Sequence, residues 1–233
     1  MKMFFFSGFV LVATGNIVAQ SRELKYSLID LGTLGGIYSE ATDVNEVGQV
    51  VGYAHLANSQ SHAFLWHDGT MIDLGTLGGN FSFAYAINEA GQVVGCSDLT
   101  SGQGTHACLW ENGVITDLAP ETSTISSAKS INARGKVVGY SYKWADLTSR
   151  EATIWRQSSE NSYVSYNLNT LVVNPPTGVH LQVAEDINDA GLIVGYGIMT
   201  PEQVHAYLLK PRKVLRPISL ENSRAHPTQA QPR

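Results

Sequence analysis

The chain has 233 residues and a formal net charge of -5, with 22 glycines and only 15% charged residues. Short runs of Val, Ile, Thr, Tyr and Phe between the glycines favour strands and tight turns over helices. Residues 26–128 contain no Lys or Arg, whereas ten acidic residues lie from Asp30 to Asp117. Nucleic-acid binders need a basic surface, so this acidic body argues against nucleic acid as a partner.

The first twenty residues resemble an export signal. Lys2 gives a positive start, residues 3–13 form an apolar run, and small residues follow. The run is shorter than the roughly 20 apolar residues that a membrane-spanning helix needs. We therefore expect a signal peptide at residues 1–19, a secreted or periplasmic protein, and no integral membrane span after cleavage. An N-terminal anchor helix or a buried strand is the alternative.

Residues 30–66 and 73–110 are near copies of each other, and weaker copies follow. An Ile/Val-Asn step recurs at Asn45, Asn88, Asn132 and Asn188, with spacings of 43, 44 and 56 residues. The spacing predicts four units of about 26–66, 67–110, 111–155 and 156–209, within a repeat domain at 26–209. A basic, Pro-containing tail at 210–233 follows, and we expect it to be disordered.

Each unit is predicted to contain four short strands, the first of which falls at residues 27–31 in the first unit. The recurring Asn is followed three residues later by Gly, a pattern that predicts a tight turn between the second and third strands. Four antiparallel strands per 43–44 residues indicate an all-β, β-propeller-like array of about four repeats. The array would form a closed four-bladed ring or an open arc, and an open arc predicts a homodimer. Another all-β stack is the alternative.

The combined motif resembles the bacterial "probable extracellular repeat, HAF family". It consists of His-Ala-Phe-Leu-Trp at 62–66, Asp-Leu-Gly-Thr-Leu-Gly-Gly at 73–79, and Ile-Asn at 87–88 with Gly-Gln-Val-Val-Gly at 91–95. The resemblance covers about 180 residues and implies an exported protein with a repeated β architecture. It implies no activity, cofactor or active site. The third unit departs from the pattern, with Glu-Ala-Thr-Ile-Trp at 151–155, and the third and fourth units lack the Gly-rich loop.

Several polar residues recur at equivalent positions and are interpreted as structural. They are His62, His106 and His205, then Asp30, Asp73 and Asp117, and the four asparagines. We expect each His to bond a neighbouring Asp or turn backbone. The alternatives are a metal held by converging His side chains, or calcium near the Asp positions with Asp43 and Glu46. No catalytic residue, cofactor or metal is assigned.

Trp66, Trp110 and Trp155 recur at the end of the fourth predicted strand. We interpret them as core between blades, with a sugar-stacking platform as the alternative. Cys96 and Cys108 both replace aromatic residues of other units. Their joint replacement predicts cross-strand neighbours, which would form a disulfide in an oxidising compartment; two buried free thiols are the alternative.

Two functions are consistent with the sequence. The first is an exported, non-enzymatic binding or surface-interaction module for carbohydrate or a protein surface. Its binding site would lie in the variable loops at 54–61, 97–105, 141–150 and 197–204. The second is a secreted hydrolase or lyase acting on a polysaccharide, with Asp98, Asp146 or Glu202 as acid and base.

Overall fold

The computed structural model describes residues 24–212, apart from 103, 120–123, 144–145, 147–148, 159–161 and 201–202. The predicted signal peptide and all but three residues of the predicted tail lie outside the described residues. Residues up to Asp30 belong to one compact unit and those from Leu31 onward to another. The described part of the first unit, residues 24–30, contains no helix or strand.

The second unit is all-β, as the sequence predicts. Fifteen strands and two short 3-10 helices, Thr100–Gly102 and Leu168–Leu171, occur among the described residues. The strands are β1 Gly35–Val44, β2 Val50–Leu56, β3 Ser61–His67, β4 Thr70–Asp73, β5 Gly78–Ile87, β6 Val93–Leu99, β7 Thr105–Glu111, β8 Val114–Asp117, β9 Thr124–Ile131, β10 Val137–Lys143, β11 Glu151–Gln157, β12 Tyr163–Asn167, β13 His180–Ile187, β14 Ile193–Thr200 and β15 Gln203–Leu209.

Antiparallel pairing groups these strands into four consecutive repeats. Repeat 1 is β1-β2-β3-β4, repeat 2 is β5-β6-β7-β8, repeat 3 is β9-β10-β11-β12, and repeat 4 is β13-β14-β15. Repeats 1 and 2 share one sheet through a parallel bridge between Ser61 and Phe81. The described residues therefore form several antiparallel sheets, and they do not close into a propeller ring.

A turn with an asparagine at its first position joins the first two strands of every repeat. In repeat 2, the Asn88 side chain accepts hydrogen bonds from the backbone N–H groups of Ala90 and Gln92, at 3.1 and 3.0 Å. Gly91, at the fourth position, has a φ of +78°, which costs little for glycine alone. The local sequence therefore determines this hairpin.

The same asparagines connect one repeat to the next. The Asn45 amide donates to the carbonyl of Asn88 at 3.2 Å, Asn88 donates to Asn132 at 3.1 Å, and Asn132 donates to Asn188 at 3.1 Å. The first three asparagines are buried. We call this chain of bonds the asparagine ladder. Buried amides must be paired, so the ladder fixes the register in which each repeat packs against its neighbour.

The recurring Val-Gly step marks a β-bulge. The register between β5 and β6 shifts between Ala84 and Ala86, opposite Gly95. A Cβ on Gly95 would lie 1.9 Å from the Phe83 carbonyl oxygen, and one on Gly139 would lie 2.0 Å from that of Ser127. Only glycine allows the neighbouring backbone to approach so closely.

The predicted strand at residues 27–31 is not a strand in the structure. Its counterparts in later repeats are β4, β8 and β12, and each pairs with the strand before it: β3, β7 and β11. Among the described residues, 27–31 take part in no strand pairing. Their propensity alone does not form a strand, because a strand needs a hydrogen-bonded neighbour.

The hydrophobic core lies between repeats. Three clusters of buried side chains fill the junctions of repeats 1 and 2, 2 and 3, and 3 and 4. At the first junction, Val51 and Ala63 of repeat 1 pack with Ala84, Ile87 and Trp110 of repeat 2. Each repeat therefore obtains its burial from its neighbours, as in other repeat proteins.

The predicted disulfide between Cys96 and Cys108 is wrong, because both cysteines are buried free thiols. Cys96 lies opposite Ala107, and Cys108 lies opposite Gly95. This offset of one residue places the two side chains on opposite faces of the sheet, since side chains alternate along a strand. Cys108 packs against repeat 1, whereas the Cys96 thiol donates to the Tyr85 hydroxyl at 3.7 Å.

We expect Asn88→Ala to lower the free energy of unfolding by about 2 kcal/mol, because buried backbone groups lose their partners. Urea unfolding followed by circular dichroism measures the change. Asn188→Ala is the matched control, since Asn188 caps its own turn but is exposed. An equal effect of the two changes would show that the ladder adds nothing to the cap.

We expect both thiols to resist alkylation at pH 8 in the folded protein and to react fully in urea without a reductant. Burial raises the pKa of Cys96 and of Cys108, so little thiolate forms in the native state. Mass spectrometry should show two adducts after unfolding. A linked peptide pair containing both cysteines would contradict the structure.

Candidate functional site

Two of the recurring histidines form His–Asp pairs. His62 Nδ1 lies 2.9 Å from the Asp73 carboxylate, and His106 Nδ1 lies 2.9 Å from that of Asp117. The carboxylate can only accept, so Nδ1 is the donor. Each Asp also accepts from the backbone two residues on, at Gly75 and Ala119. The pair therefore fixes the chain as it leaves β4 or β8.

The third histidine has a different partner. His205 Nε2 lies 3.2 Å from the Gln203 side-chain oxygen. Asp30, the first of the recurring aspartates, lies in the N-terminal unit. Among the described residues there is no group of three or more His, Cys, Asp or Glu side chains placed to hold a metal ion. Both Asp43 carboxylate oxygens accept backbone N–H groups, from Val44 and Ile87.

Two of the three recurring tryptophans lie between repeats. Trp110 packs in the junction of repeats 1 and 2, and Trp155 in that of repeats 2 and 3, where it is fully buried. Trp66 faces outward from repeat 1 and is half-buried. A sugar platform made of Trp110 and Trp155 is therefore excluded, because their rings are inaccessible.

A cavity of about 520 Å³ lies at the junction of repeats 3 and 4. Its lining includes Ile154, Leu168 and Leu209, with Lys136 and Arg156 also present. Leu209 ends β15 at the position that Trp110 and Trp155 occupy in β7 and β11. A leucine is smaller than a tryptophan, so we attribute the cavity to this difference in side-chain volume.

A row of aromatic side chains crosses repeats 1 to 3 on the half-buried surface near the variable loops. In repeat 1, the Tyr38 ring lies 6.0 Å from the Tyr53 ring and 5.2 Å from the His55 ring. Tyr53 then contacts Phe83 of repeat 2 edge-on at 5.0 Å. Tyr38 is 43% exposed, so this end of the row is open to a ligand.

Cationic side chains cover the other end of the row. Lys129 Nζ lies 4.4 Å above the Tyr85 ring, and the Arg150 guanidinium lies 4.8 Å above the Tyr140 ring. Tyr142 stacks beside Tyr140 at 6.2 Å. We call Tyr38, Tyr53, Phe83, Tyr85, Tyr140 and Tyr142 the aromatic strip.

A carboxylate lies beside the exposed end of the aromatic strip. The hydroxyls of Tyr38 and Tyr53 donate to Glu40 at 2.5 and 2.6 Å. These hydrogen bonds lower the pKa of Glu40, so its side chain is a carboxylate at neutral pH. Rings with an adjacent acceptor can hold a ligand that has an apolar face and hydroxyl groups at its edge.

The aromatic strip was not among the features predicted from the sequence. Alternating aromatic residues at 81, 83 and 85 and at 140 and 142 place rings on one face of a strand, and this signal could have indicated it. Three rim carboxylates were predicted as candidate acids and bases. Asp98 accepts a hydrogen bond from the Thr105 hydroxyl at 2.8 Å, and Asp146 is exposed. Glu202 lies outside the described residues.

Comparisons of the chain with protein families, with curated proteins and with solved structures found no match. No helix within the described ranges is long and apolar enough to span a bilayer.

We expect Leu209→Trp to raise the free energy of unfolding by about 1 kcal/mol by filling the cavity. The reverse change, Trp155→Leu, should lower it by about 2 kcal/mol by opening a cavity at the preceding junction. Thermal unfolding of both variants measures the two effects. A loss of stability in Leu209→Trp would show that the cavity cannot accept a larger ring.

Proposed function

We propose that this chain is an exported, non-enzymatic binding protein that holds a carbohydrate chain on its aromatic strip. The observation that carries the proposal is the strip itself. Its rings come from three successive repeats, and the exposed end has a carboxylate held beside two tyrosines. A sugar has an apolar face for the rings and hydroxyls for the carboxylate, so an extended glycan fits a linear row of this kind.

The polar groups along the strip suit hydroxyl-rich ligands. Glu40 accepts hydrogen bonds, whereas Lys129 and Arg150 donate them and are charged at neutral pH. Both cations lie over tyrosine rings, which restrains their side chains before a ligand arrives. Restrained side chains lose less entropy on binding.

The resemblance to the HAF family and the N-terminal apolar run support export, which is part of the proposal. We also propose that each repeat is a propeller-like blade and that the four blades form an open arc. The support is the four-stranded antiparallel sets of β1–β4, β5–β8 and β9–β12, which stack face to face through apolar clusters.

We expect Tyr53→Ala and Tyr140→Ala each to weaken binding about tenfold, equivalent to about 1.4 kcal/mol. Affinity electrophoresis in gels containing β-glucan, xylan or polygalacturonate measures the retardation of each variant. Tyr166→Ala is the control, because Tyr166 is an exposed tyrosine on β12 that does not belong to the strip.

A reducing-sugar assay on the same polysaccharides tests for catalysis. Retardation without product release supports the binding protein. Product release that is lost on changing Asp98 or Asp146 would favour the polysaccharide hydrolase or lyase. Normal retardation of the Tyr53→Ala variant would contradict the aromatic strip as the binding site.

A further inference from the structure

Every junction between repeats uses the same two surfaces. We call the surface that a repeat turns toward the following repeat its forward face; it contains one residue of the second strand and two of the third. The forward-face residues are Val51, Ala63 and Leu65 in repeat 1, Val94, Ala107 and Leu109 in repeat 2, and Val138, Ala152 and Ile154 in repeat 3.

The opposite surface of each repeat is its backward face. It packs on the forward face of the preceding repeat and combines first-strand residues with one residue near the end of the third strand. These residues are Ala84, Ile87 and Trp110 in repeat 2, Ala128, Ile131 and Trp155 in repeat 3, and Ala184, Ile187 and Leu209 in repeat 4.

Repeat 4 leaves its forward face exposed. Val194 is 43% exposed, whereas its counterparts Val51, Val94 and Val138 are completely buried. Leu208, on the same face, is 50% exposed. The side chains remain apolar, as at the covered junctions. This face is therefore suited to the same kind of packing.

Repeat 1 leaves its backward face exposed in the same way. Val44 is 59% exposed, whereas its counterparts Ile87, Ile131 and Ile187 are at most 7% exposed. Ala41 is exposed and Trp66 is half-buried, although the equivalent alanines and tryptophans are buried. The two exposed faces are thus the two halves of a junction that occurs three times within the chain.

The polar groups at the two faces are complementary as well. The asparagine ladder runs from each amide to the next carbonyl, so the Asn188 amide is the donor that would extend it and the Asn45 carbonyl is the acceptor. The acidic side chain after the ladder asparagine also bonds the preceding repeat. Glu89 accepts from the Glu46 backbone, and Asp189 accepts from that of Ala133.

A strand for the edge of repeat 4 is encoded in the N-terminal segment. In repeats 1 to 3 a fourth strand pairs with the third, whereas in repeat 4 β15 is the edge strand of the described sheet. Residues 27–36 read Ser-Leu-Ile-Asp-Leu-Gly-Thr-Leu-Gly-Gly and match residues 70–79, which contain β4, at eight of ten positions. By the register of β3 and β4, Ile29 would lie opposite Leu208, and Asp30 would reach His205 as Asp73 reaches His62.

We infer that a second copy of this chain binds head to tail. Residues 27–31 of the second copy add to β15 as its fourth strand, and the backward face of that copy covers the forward face of repeat 4. The junction repeats the geometry by which β4 pairs with β3 and leads into repeat 2. The occupant is a second copy because the described residues of one chain leave both complementary faces exposed. Such a contact joins unlike surfaces, so it propagates into a closed ring or an open filament.

Cross-linking between separately prepared full chains tests the strand pairing. An Ile29→Cys preparation mixed with a Leu208→Cys preparation under mild oxidation should give a disulfide-linked dimer of the two. Ile29→Cys mixed with Val164→Cys is the matched control, since Val164 is exposed on β12 and belongs to neither face. Absence of the mixed dimer would overturn the inference. It would also be overturned if the double variant Ile29→Cys/Leu208→Cys formed its disulfide within one chain.

Sedimentation equilibrium tests the apolar contact independently. Val194→Glu should weaken self-association at least tenfold, whereas Val164→Glu should leave it unchanged. A monomeric wild-type protein, or a Val194→Glu variant that associates normally, would overturn the inference. Neither measurement involves carbohydrate, so failure of the head-to-tail contact can be distinguished from failure of the proposed carbohydrate binding.

Discussion

The junction between neighbouring repeats is the interaction on which the rest of this structure depends. The three clusters of buried apolar side chains lie where the forward face of one repeat meets the backward face of the next. Apolar packing supplies most of the favourable free energy, and the buried asparagine ladder determines which residues meet. The junctions thus determine both which side chains are buried and the register between repeats.

The arrangement explains where a ligand can bind. Residues that form the junctions are committed to packing, so their side chains are shielded from solvent. The aromatic strip lies toward the variable loops, where the second strands end and burial is incomplete. Ring contacts such as Tyr53 to Phe83 cross from one repeat to the next, so the stacking of the repeats determines the spacing of the rings.

The parts of the fold that depend on neighbouring residues could be predicted from sequence. The Asn-x-x-Gly turns are an example, because the side chain and the glycine act within five residues. The prediction of a strand at 27–31 was wrong because strand pairing requires a partner distant in sequence. The prediction of a disulfide was wrong because a shift of one residue in register moves a side chain to the other face of the sheet. Alternation of aromatic residues indicates rings on one face of a single strand, but the aromatic strip joins separate repeats, so its continuity depends on how the repeats stack.

The length of the asparagine turn is the same in all four repeats, whereas the loops at the opposite end of the strands differ in length. An insertion in an asparagine turn would displace one carbonyl of the ladder and so misalign two junctions at once. An insertion in the opposite loops would displace neither. Sequence drift and loop grafting should therefore be tolerated at one rim only, so that new binding specificities can arise without renewed selection for folding.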